Sequence, residues 1–367
     1  MSVPPSLVIA FNRPSHLEQT LESLVSARIE RVWIHLDGPR PTHPSDIELV
    51  SSAKNIAQSF ERRFTEFHLV CREENLGCKF SPISAINWFF SAVDMGIIIE
   101  DDILVSSEFV RFAQHGLEKY KKDMRIWQIN GWTPFEEGEI AQSPWISRYP
   151  VPWGWATWRD RWQRNLFESN YVESISPLNL ETIRESKYSP DFEEYWRTAF
   201  AKVSAGFDTW DYQWFHEIWR NGGFVLAPPF RLTSNFGFGE SATHTQTPVG
   251  RATGKWSENK RIDLSPNDYL RNMDLDLALD KLMFGMDFPE EKFASLSDSL
   301  TPLGIKNLTK IILTRFSGVA LLKILYNNFT RIAFIRVFLR YFVKIVEKSS
   351  PTLKKMIIRY RSRAWFE

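Results

Sequence analysis

The residues best suited to chemistry form one run, Glu100-Asp101-Asp102. These consecutive carboxylates close the apolar segment Met95-Gly96-Ile97-Ile98-Ile99 and are followed at once by Ile103-Leu104. Ionised acids at the end of a buried strand repel one another and resist leaving water. A divalent cation carrying a phosphorylated ligand would neutralise them, so metal-assisted phosphate chemistry is the reaction such a cluster suits. The competing reading is a solvated acidic turn ahead of a helix, because acids favour helix N-termini. Two further polar groups follow short apolar runs in the same way: Asn12-Arg13 after Leu7–Phe11, and Asp37 after Val32–Leu36.

The elements that must position these groups alternate. Strand patterns at Leu7–Phe11, Val32–Leu36, Phe67–Cys71, Gly96–Ile99 and Ile126–Asn130 are separated by helical patterns. The helices are expected over Ser15–Val25 (Ser15 as N-cap), Ser45–Arg63, Ile83–Val93 and Glu108–Tyr120. Strands interleaved with helices predict parallel βαβ units, whose ligand sites lie at the carboxyl ends of the strands. Asn12-Arg13, Asp37 and Glu100–Asp102 all fall at such ends.

Residues 132–240 read as irregular and aromatic. Pro152-Trp153-Gly154-Trp155-Ala156-Thr157-Trp158 is the densest aromatic stretch. Core packing is the favoured use of its indoles, with Trp155 beside Gly154 the best placed for stacking on a sugar. Helices are expected over Phe192–Ala205 and from the Phe207–Trp214 stretch through Trp219, then a strand over Phe224–Ala227. Asn75-Leu76-Gly77 with Lys79 is open to two readings, a nucleotide contact or a turn with a solvated lysine. In the Gly-rich stretch Asn235–Thr245, His244 is a candidate metal ligand or diphosphate contact, against an ordinary hydrogen-bonded loop histidine.

Composition sets the frame. Hydrophobic content of 43% and charged content of 24% are those of a globular protein, and 367 residues can bury one large core or two smaller ones. The net charge of +1 hides an asymmetry, since residues 301–367 carry 14 Lys/Arg against only Glu347 and Glu367. Arg336, Arg340, Lys344 and Lys348 recur every four residues and line one helix side; Phe334, Phe338, Phe342 and Ile345 occupy another. That pattern predicts a helical tail lying on an anionic membrane surface. Its density of Phe, Ile and Leu argues against a nucleic-acid partner. Packing on the acidic remainder of the chain is the plainer alternative. Cys71 and Cys78 are too few for a disulfide framework, and no Cys/His set has zinc spacing. With no signal-peptide pattern and no long apolar span, the expectation is a cytoplasmic, membrane-peripheral protein.

Taken in order, Ala10-Phe11-Asn12-Arg13-Pro14, Leu36-Asp37-Gly38, Glu100-Asp101-Asp102 and Trp210-Asp211 resemble GT-A glycosyltransferases. The likeness is to the N-acetylglucosaminyltransferase I family and its bacterial relatives, over roughly residues 5–245. It implies a Rossmann-like α/β fold with a mostly parallel central sheet flanked by helices, here followed by a C-terminal helical extension. It also implies a nucleotide-sugar donor, UDP-linked in that family, and Mn²⁺ (or Mg²⁺). Asn12 and Arg13 would contact the nucleotide, and Asp37 would read the uracil. Glu100 and Asp101 would lie near the sugar and ribose, with Asp102 as metal ligand. Asp211 would be the base of an inverting transfer; its plainer reading is a helix N-cap, and Asp208 is the second candidate. Gly154 and Trp155 are the expected acceptor or sugar contacts.

The resulting division begins with a catalytic domain over residues 1–245, split into a donor-binding stretch (residues 1–131) and an acceptor-binding stretch (residues 132–245). A polar extension 246–300, with one amphipathic helix near Leu270–Met283, and the basic tail 301–367 follow. The acceptor would be a glycan or a lipid-linked sugar. Two rivals remain: a nucleotidylyltransferase of the same fold, and a non-catalytic membrane-bound scaffold.

Overall fold

The computed structural model describes residues 2–135, 141, 143–164, 191–237, 256, 260–266 and 268–286. The chain divides into two units, Met1–Leu300 and Thr301–Glu367, and every described residue belongs to the first. The expected C-terminal helical extension, the basic tail and His244 lie outside the described residues.

The first half alternates as its sequence predicts. β1 (Ser6–Ala10) leads to helix α1 (Pro14–Ser26), β2 (Arg31–Leu36), α2 (Ser45–Ser59) and β3 (Glu66–Cys71). Then come α3 (Gly77–Ala92), β4 (Met95–Glu100), β5 (Ile103–Val105), α4 (Ser107–Lys119) and β6 (Ile126–Asn130). Later elements are β7 (Trp145–Ser147), β8 (Trp155–Trp158), α5 (Arg159–Trp162), α6 (Phe192–Ser204) and α7 (Asp211–Arg220). They are followed by β9 (Phe224–Ala227), β10 (Thr233–Asn235) and α8 (Met273–Phe284).

Eight strands form the main sheet in the order β3-β2-β1-β4-β8-β6-β9-β7. The first four are mutually parallel, as are β6 and β9; β8 runs antiparallel to both β4 and β6, and β7 antiparallel to β9. The architecture is therefore α/β with a mostly parallel sheet, as expected. Alternation along β1 sends Val8 and Ala10 to a core shared with Leu17, Leu21 and Leu24 of α1 and with Ala53 and Ala57 of α2. Leu7 and Ile9 go to a second core with Ile86, Phe89 and Phe90 of α3. This period of two covers both faces of the sheet, which is what a parallel sheet requires.

The strand order reverses at β1. From β1 the chain winds outward through β2 and β3, then crosses by way of α3 to β4 on the other side of β1. The crevice beyond the carboxyl ends of β1 and β4 is thus a topological switch point, where open α/β sheets take their ligands.

Three sequence expectations are corrected. Ser15 does not cap α1: Arg13 holds the cap position with Pro14 as first helical residue, a place where its missing N–H costs nothing. Helix α3 begins at Gly77, not near Ile83, with Pro82 inside it. The aromatic run contains β8, a central strand; four residues are too few to show an alternation. The amphipathic helix expected near Leu270–Met283 is present as α8, and it is built into the core. Leu275 and Leu279 join the aromatic cluster of Trp196, Trp214 and Trp219. The fully buried Asp276 and Asp280 take Ser147 Oγ at 2.6 Å and Arg148 Nη2 at 2.7 Å respectively. Among the described residues, no helix is long and apolar enough to cross a membrane.

Candidate active site

β1 and β4 are register-locked, with Ile9 opposite Glu100. That pairing sets the residues leaving β1 beside the acids leaving β4. The Phe11 amide donates to Asp101 Oδ2 at 3.3 Å, and Thr20 Oγ1 of α1 donates to the Asp101 carbonyl at 2.8 Å. Arg13 then bridges two acids: Nη2 donates to Asp101 Oδ1, and Nη1 donates to Asp102 Oδ2 at 2.9 Å. The charge expected to neutralise the triplet is in part this guanidinium.

Electrostatics follow from the crowding. Burial works to lower the Arg13 guanidinium, but the Asp101 and Asp102 charges outweigh it and raise it. Burial also pushes Asp101 up, against the pull of Arg13. Glu100 is pushed up to about 8 by burial first and then by the Asp102 charge, with Arg13 opposing and Asp211 adding to the rise. Its Oε1 accepts from Trp210 Nε1 at 3.3 Å.

Asp102 is the acid with capacity to spare. Its residue is 7% exposed, and Oδ1 is buried without a hydrogen-bond partner. An unpartnered carboxylate oxygen in such a place costs free energy unless something positive meets it, so Asp102 fits a divalent cation. Among the described residues no group of three metal-ligating side chains is assembled. One or two carboxylates with diphosphate oxygens completing the shell is a normal arrangement for Mg²⁺-type sites. The strand pair β5–β10 brings a second wall to Asp102. Asn235 lies opposite Ile103, the Phe236 amide donates to the Asp102 carbonyl at 3.1 Å, and Gly237 follows. A Cβ on Gly237 would stand 1.9 Å from Asp102 Oδ2, so only glycine leaves the carboxylate its place. Sequence reasoning passed over Gly237; the Gly-rich run Asn235–Gly239 was its available signal.

Two expected nucleotide contacts are spent elsewhere. Asp37, 4% exposed, receives the amides of Gly38 and Leu76 at 3.0 Å, of Gly77 at 3.2 Å, and Asn75 Nδ2 at 3.0 Å. Burial raises it and those backbone bonds hold it down. With both oxygens occupied, Asp37 anchors the start of α3 and has no lone pair left to read a base. Asn75 is likewise committed, to Asp37 and to the Gly38 carbonyl at 2.9 Å. Asn12 donates Nδ2 to the buried Asp46 at 2.8 Å, where Arg40 is also bound at 2.6 and 3.0 Å. It braces the loop after β2.

The expected sugar contacts are corrected as well. Trp155 is 1% exposed, stacked on Trp210 at 5.7 Å and flanked by Trp162 and Trp214, so its faces are already covered. Gly154, at φ +77°, packs against Thr233 and Ile103. Trp155 reaches the site only through Trp210, which it stacks on and which donates to Glu100.

Asp211 opens α7. Its Oδ1 accepts from Thr209 Oγ1 and from the Tyr212 amide at 2.9 Å, but Trp210 holds the N-cap position and no side chain caps the helix, so the N-cap expected as the plainer reading of Asp211 is not formed. Trp210 beside it touches Glu100, which places the pair next to the acids. The structure therefore gathers Arg13, Glu100, Asp101, Asp102, Trp210 and Gly237, and leaves Asn12, Asp37, Gly154 and Trp155 as supports.

No family model matches the chain, and no curated protein matches it. Among solved structures, it is similar to the mannosyltransferase PcManGT from Pyrobaculum calidifontis, in complex with GDP-Man and Mn²⁺. The match has 13% identity over 62% of this chain and 58% of that one, with a TM-score of 0.30. It is also similar to S. aureus TarS 1-349 (12% identity, 62% and 59% of the two chains, TM-score 0.34). A third is the inositol-1-phosphate CTP transferase from T. maritima (9% identity, 64% and 90%, TM-score 0.30). The chain thus spans less than two thirds of the length of the first two.

Proposed function

We propose that this protein is a metal-dependent glycosyltransferase that moves a sugar from a nucleotide-sugar donor to a glycan or lipid-linked acceptor, with inversion. The observation that supports this most is the open Oδ1 of Asp102 at the switch point between β1 and β4, beside Arg13. Asp37 is committed to the start of α3 and is not the uracil contact. UDP-sugars, the donors that the family resemblance implies, and GDP-sugars are therefore both to be tested.

Asp102 would hold Mn²⁺ or Mg²⁺ through Oδ1. When bound, such a cation supplies Lewis-acid stabilisation of the departing diphosphate. Arg13 keeps Asp101 and Asp102 in place and adds positive charge where the leaving group gathers negative charge. Glu100 and Asp101, close under the same crevice, would orient the sugar and ribose hydroxyls. Asp211 would accept the proton of the acceptor hydroxyl from the face opposite the leaving group. Trp210 and the covered Trp155 form an apolar backing that keeps this edge of the site dry.

The basic, aromatic segment 301–367 supports a further element of the reading. It would hold the enzyme on the anionic inner face of a membrane, near a lipid-linked acceptor. Co-sedimentation with phosphatidylglycerol vesicles, compared with phosphatidylcholine alone, tests that element.

The enzymatic reading is tested by incubating the protein with UDP-glucose, UDP-N-acetylglucosamine and GDP-mannose, with Mn²⁺ or with EDTA. Metal-dependent release of nucleoside diphosphate supports it. Pyrophosphate release from a nucleoside triphosphate and a sugar phosphate would identify a nucleotidylyltransferase instead.

A further inference from the structure

Asp208 stands in the segment that joins α6 to α7, shortly before Asp211. Its carboxylate is bound to another region of the fold: Oδ2 accepts from the Cys78 amide at 3.1 Å and Oδ1 from the Lys79 amide at 2.9 Å. Asp37 takes the two preceding amides, those of Leu76 and Gly77. Successive amides at the start of α3 are thus shared between two carboxylates from remote parts of the chain. Gly77 makes room for this. It takes φ +77°, and a Cβ there would stand 3.0 Å from Asp208 Oδ2.

The stretch around Asp208 turns off the end of α6, where the Gly206 and Phe207 amides donate to the Val203 and Lys202 carbonyls at 3.0 Å. Gly206 takes φ +97° with open space where a side chain would go, and Phe207 is 44% exposed. Downstream, the segment carries groups of the site. Trp210 stacks on Trp155 and donates to Glu100, and Thr209 donates Oγ1 to Asp211. Gln213 in turn holds the Thr209 carbonyl at 2.7 Å. Position 208 is therefore where a rigid helix end grips the chain just ahead of the Trp210–Asp211 pair.

We propose that Asp208 is a positioning residue: by binding the amides of Cys78 and Lys79 it holds the Trp210–Asp211 segment against the end of β4. Both Asp208 oxygens are taken up by amides of α3, so Asp208 serves Asp211 and does not replace it. The catalytic half of this inference rests on the glycosyltransferase reading; the tether itself does not.

The test uses the full chain, with Asp208→Ala and Asp208→Asn, and reads amide hydrogen exchange and initial rates. In Asp208→Ala, amides 78–79 and 209–213 should exchange together, roughly tenfold faster or more, while 8–20 stay unchanged. In the transfer assay with the donor panel above, kcat should fall roughly tenfold, with donor KM held within about twofold. Asparagine keeps one acceptor oxygen and should restore part of both effects. If 78–79 open while 209–213 stay protected, Asp208 is only a helix cap and the proposal fails. Loss of donor binding with kcat retained also overturns it. If the wild-type chain transfers no sugar, the glycosyltransferase reading fails, and joint or separate opening still decides the tether. Should Asp208→Ala not fold, Asp208→Asn is read by the same criteria.

Discussion

Arg13 Nη1 meets Asp102 Oδ2 at 2.9 Å, and the bond takes one carboxylate oxygen while Oδ1 stays buried and unpartnered. The guanidinium therefore half-neutralises the acidic triplet and leaves a defined place for a second positive charge. A fully satisfied Asp102 would have been a structural ion pair. A fully unpaired triplet would have been too costly to bury.

Removal of Arg13 should expose that cost. Its side chain is 20% exposed and pairs with Asp101 and Asp102, which are 3% and 10% exposed. Arg13→Ala leaves these carboxylates uncompensated and should destabilise the fold by about 3 kcal/mol, at the low end for a broken buried pair. Urea unfolding at pH 7 measures it, and added Mn²⁺ should recover some of the loss. A change below about 1 kcal/mol would show that the pair is solvated.

Gly237→Ala tests the wall of the site. The added Cβ would lie 1.9 Å from Asp102 Oδ2 and 2.6 Å from its Cγ, so the carboxylate must swing away. Overpacking of this kind costs about 1–3 kcal/mol, whereas Mn²⁺-dependent nucleotide-sugar affinity should drop roughly tenfold or more. Calorimetric titration beside a denaturation curve separates the two effects. Unaltered affinity would mean that Asp102 does not hold the metal.

The pH dependence of stability should carry the signature of His35. This histidine is fully buried, accepts from Arg72 Nε at 3.2 Å, and is lowered from 6.5 to about 4 by burial and then by the Arg72 charge. The unfolded chain binds the proton more readily, so stability is full above pH 6.5 and falls as pH drops towards 4. The loss should be on the order of 3 kcal/mol. Denaturation midpoints of the wild-type chain and His35→Gln across this window measure it. An equal slope in both would remove His35 as the cause.

Asp280→Ala tests whether α8 is integral to the core. Arg148 and Asp280 are 2% and 0% exposed, and Tyr149 also donates to Asp280. The variant strands a buried guanidinium and should cost about 3–5 kcal/mol in guanidinium-chloride unfolding. The double change Arg148→Met with Asp280→Leu should recover much of it. A single-variant loss below about 1 kcal/mol would show that α8 is dispensable.

How much of this was legible in the sequence depended on distance along the chain. β1, β2, β4 and α1 announce themselves by local apolar periodicity, and the acids at the end of β4 by their interruption of it. The start of α3 was missed because the carboxylates that cap it, Asp37 and Asp208, come from remote positions. Asp37 and Asn12 occupy the strand-end positions expected of ligand contacts. Only the structure shows their polar atoms bound to α3 and to Asp46. For Trp155 core packing was the favoured reading and sugar stacking the rival; its burial at 1% exposure settles on packing, which composition alone could not decide. The amphipathic helix α8 was legible from its spacing, but its place in the core was not, because Ser147 and Arg148, the partners of Asp276 and Asp280, lie far upstream.

The most direct measurement is calorimetric titration of UDP-glucose, UDP-N-acetylglucosamine and GDP-mannose into the wild-type chain and Asp102→Asn, each with Mn²⁺ and with EDTA. At least one donor should bind the wild-type chain roughly tenfold or more tighter with Mn²⁺, and that gain should vanish in Asp102→Asn. An equal Mn²⁺ gain in the variant, or none in the wild type with any donor, would contradict a cation held at Asp102.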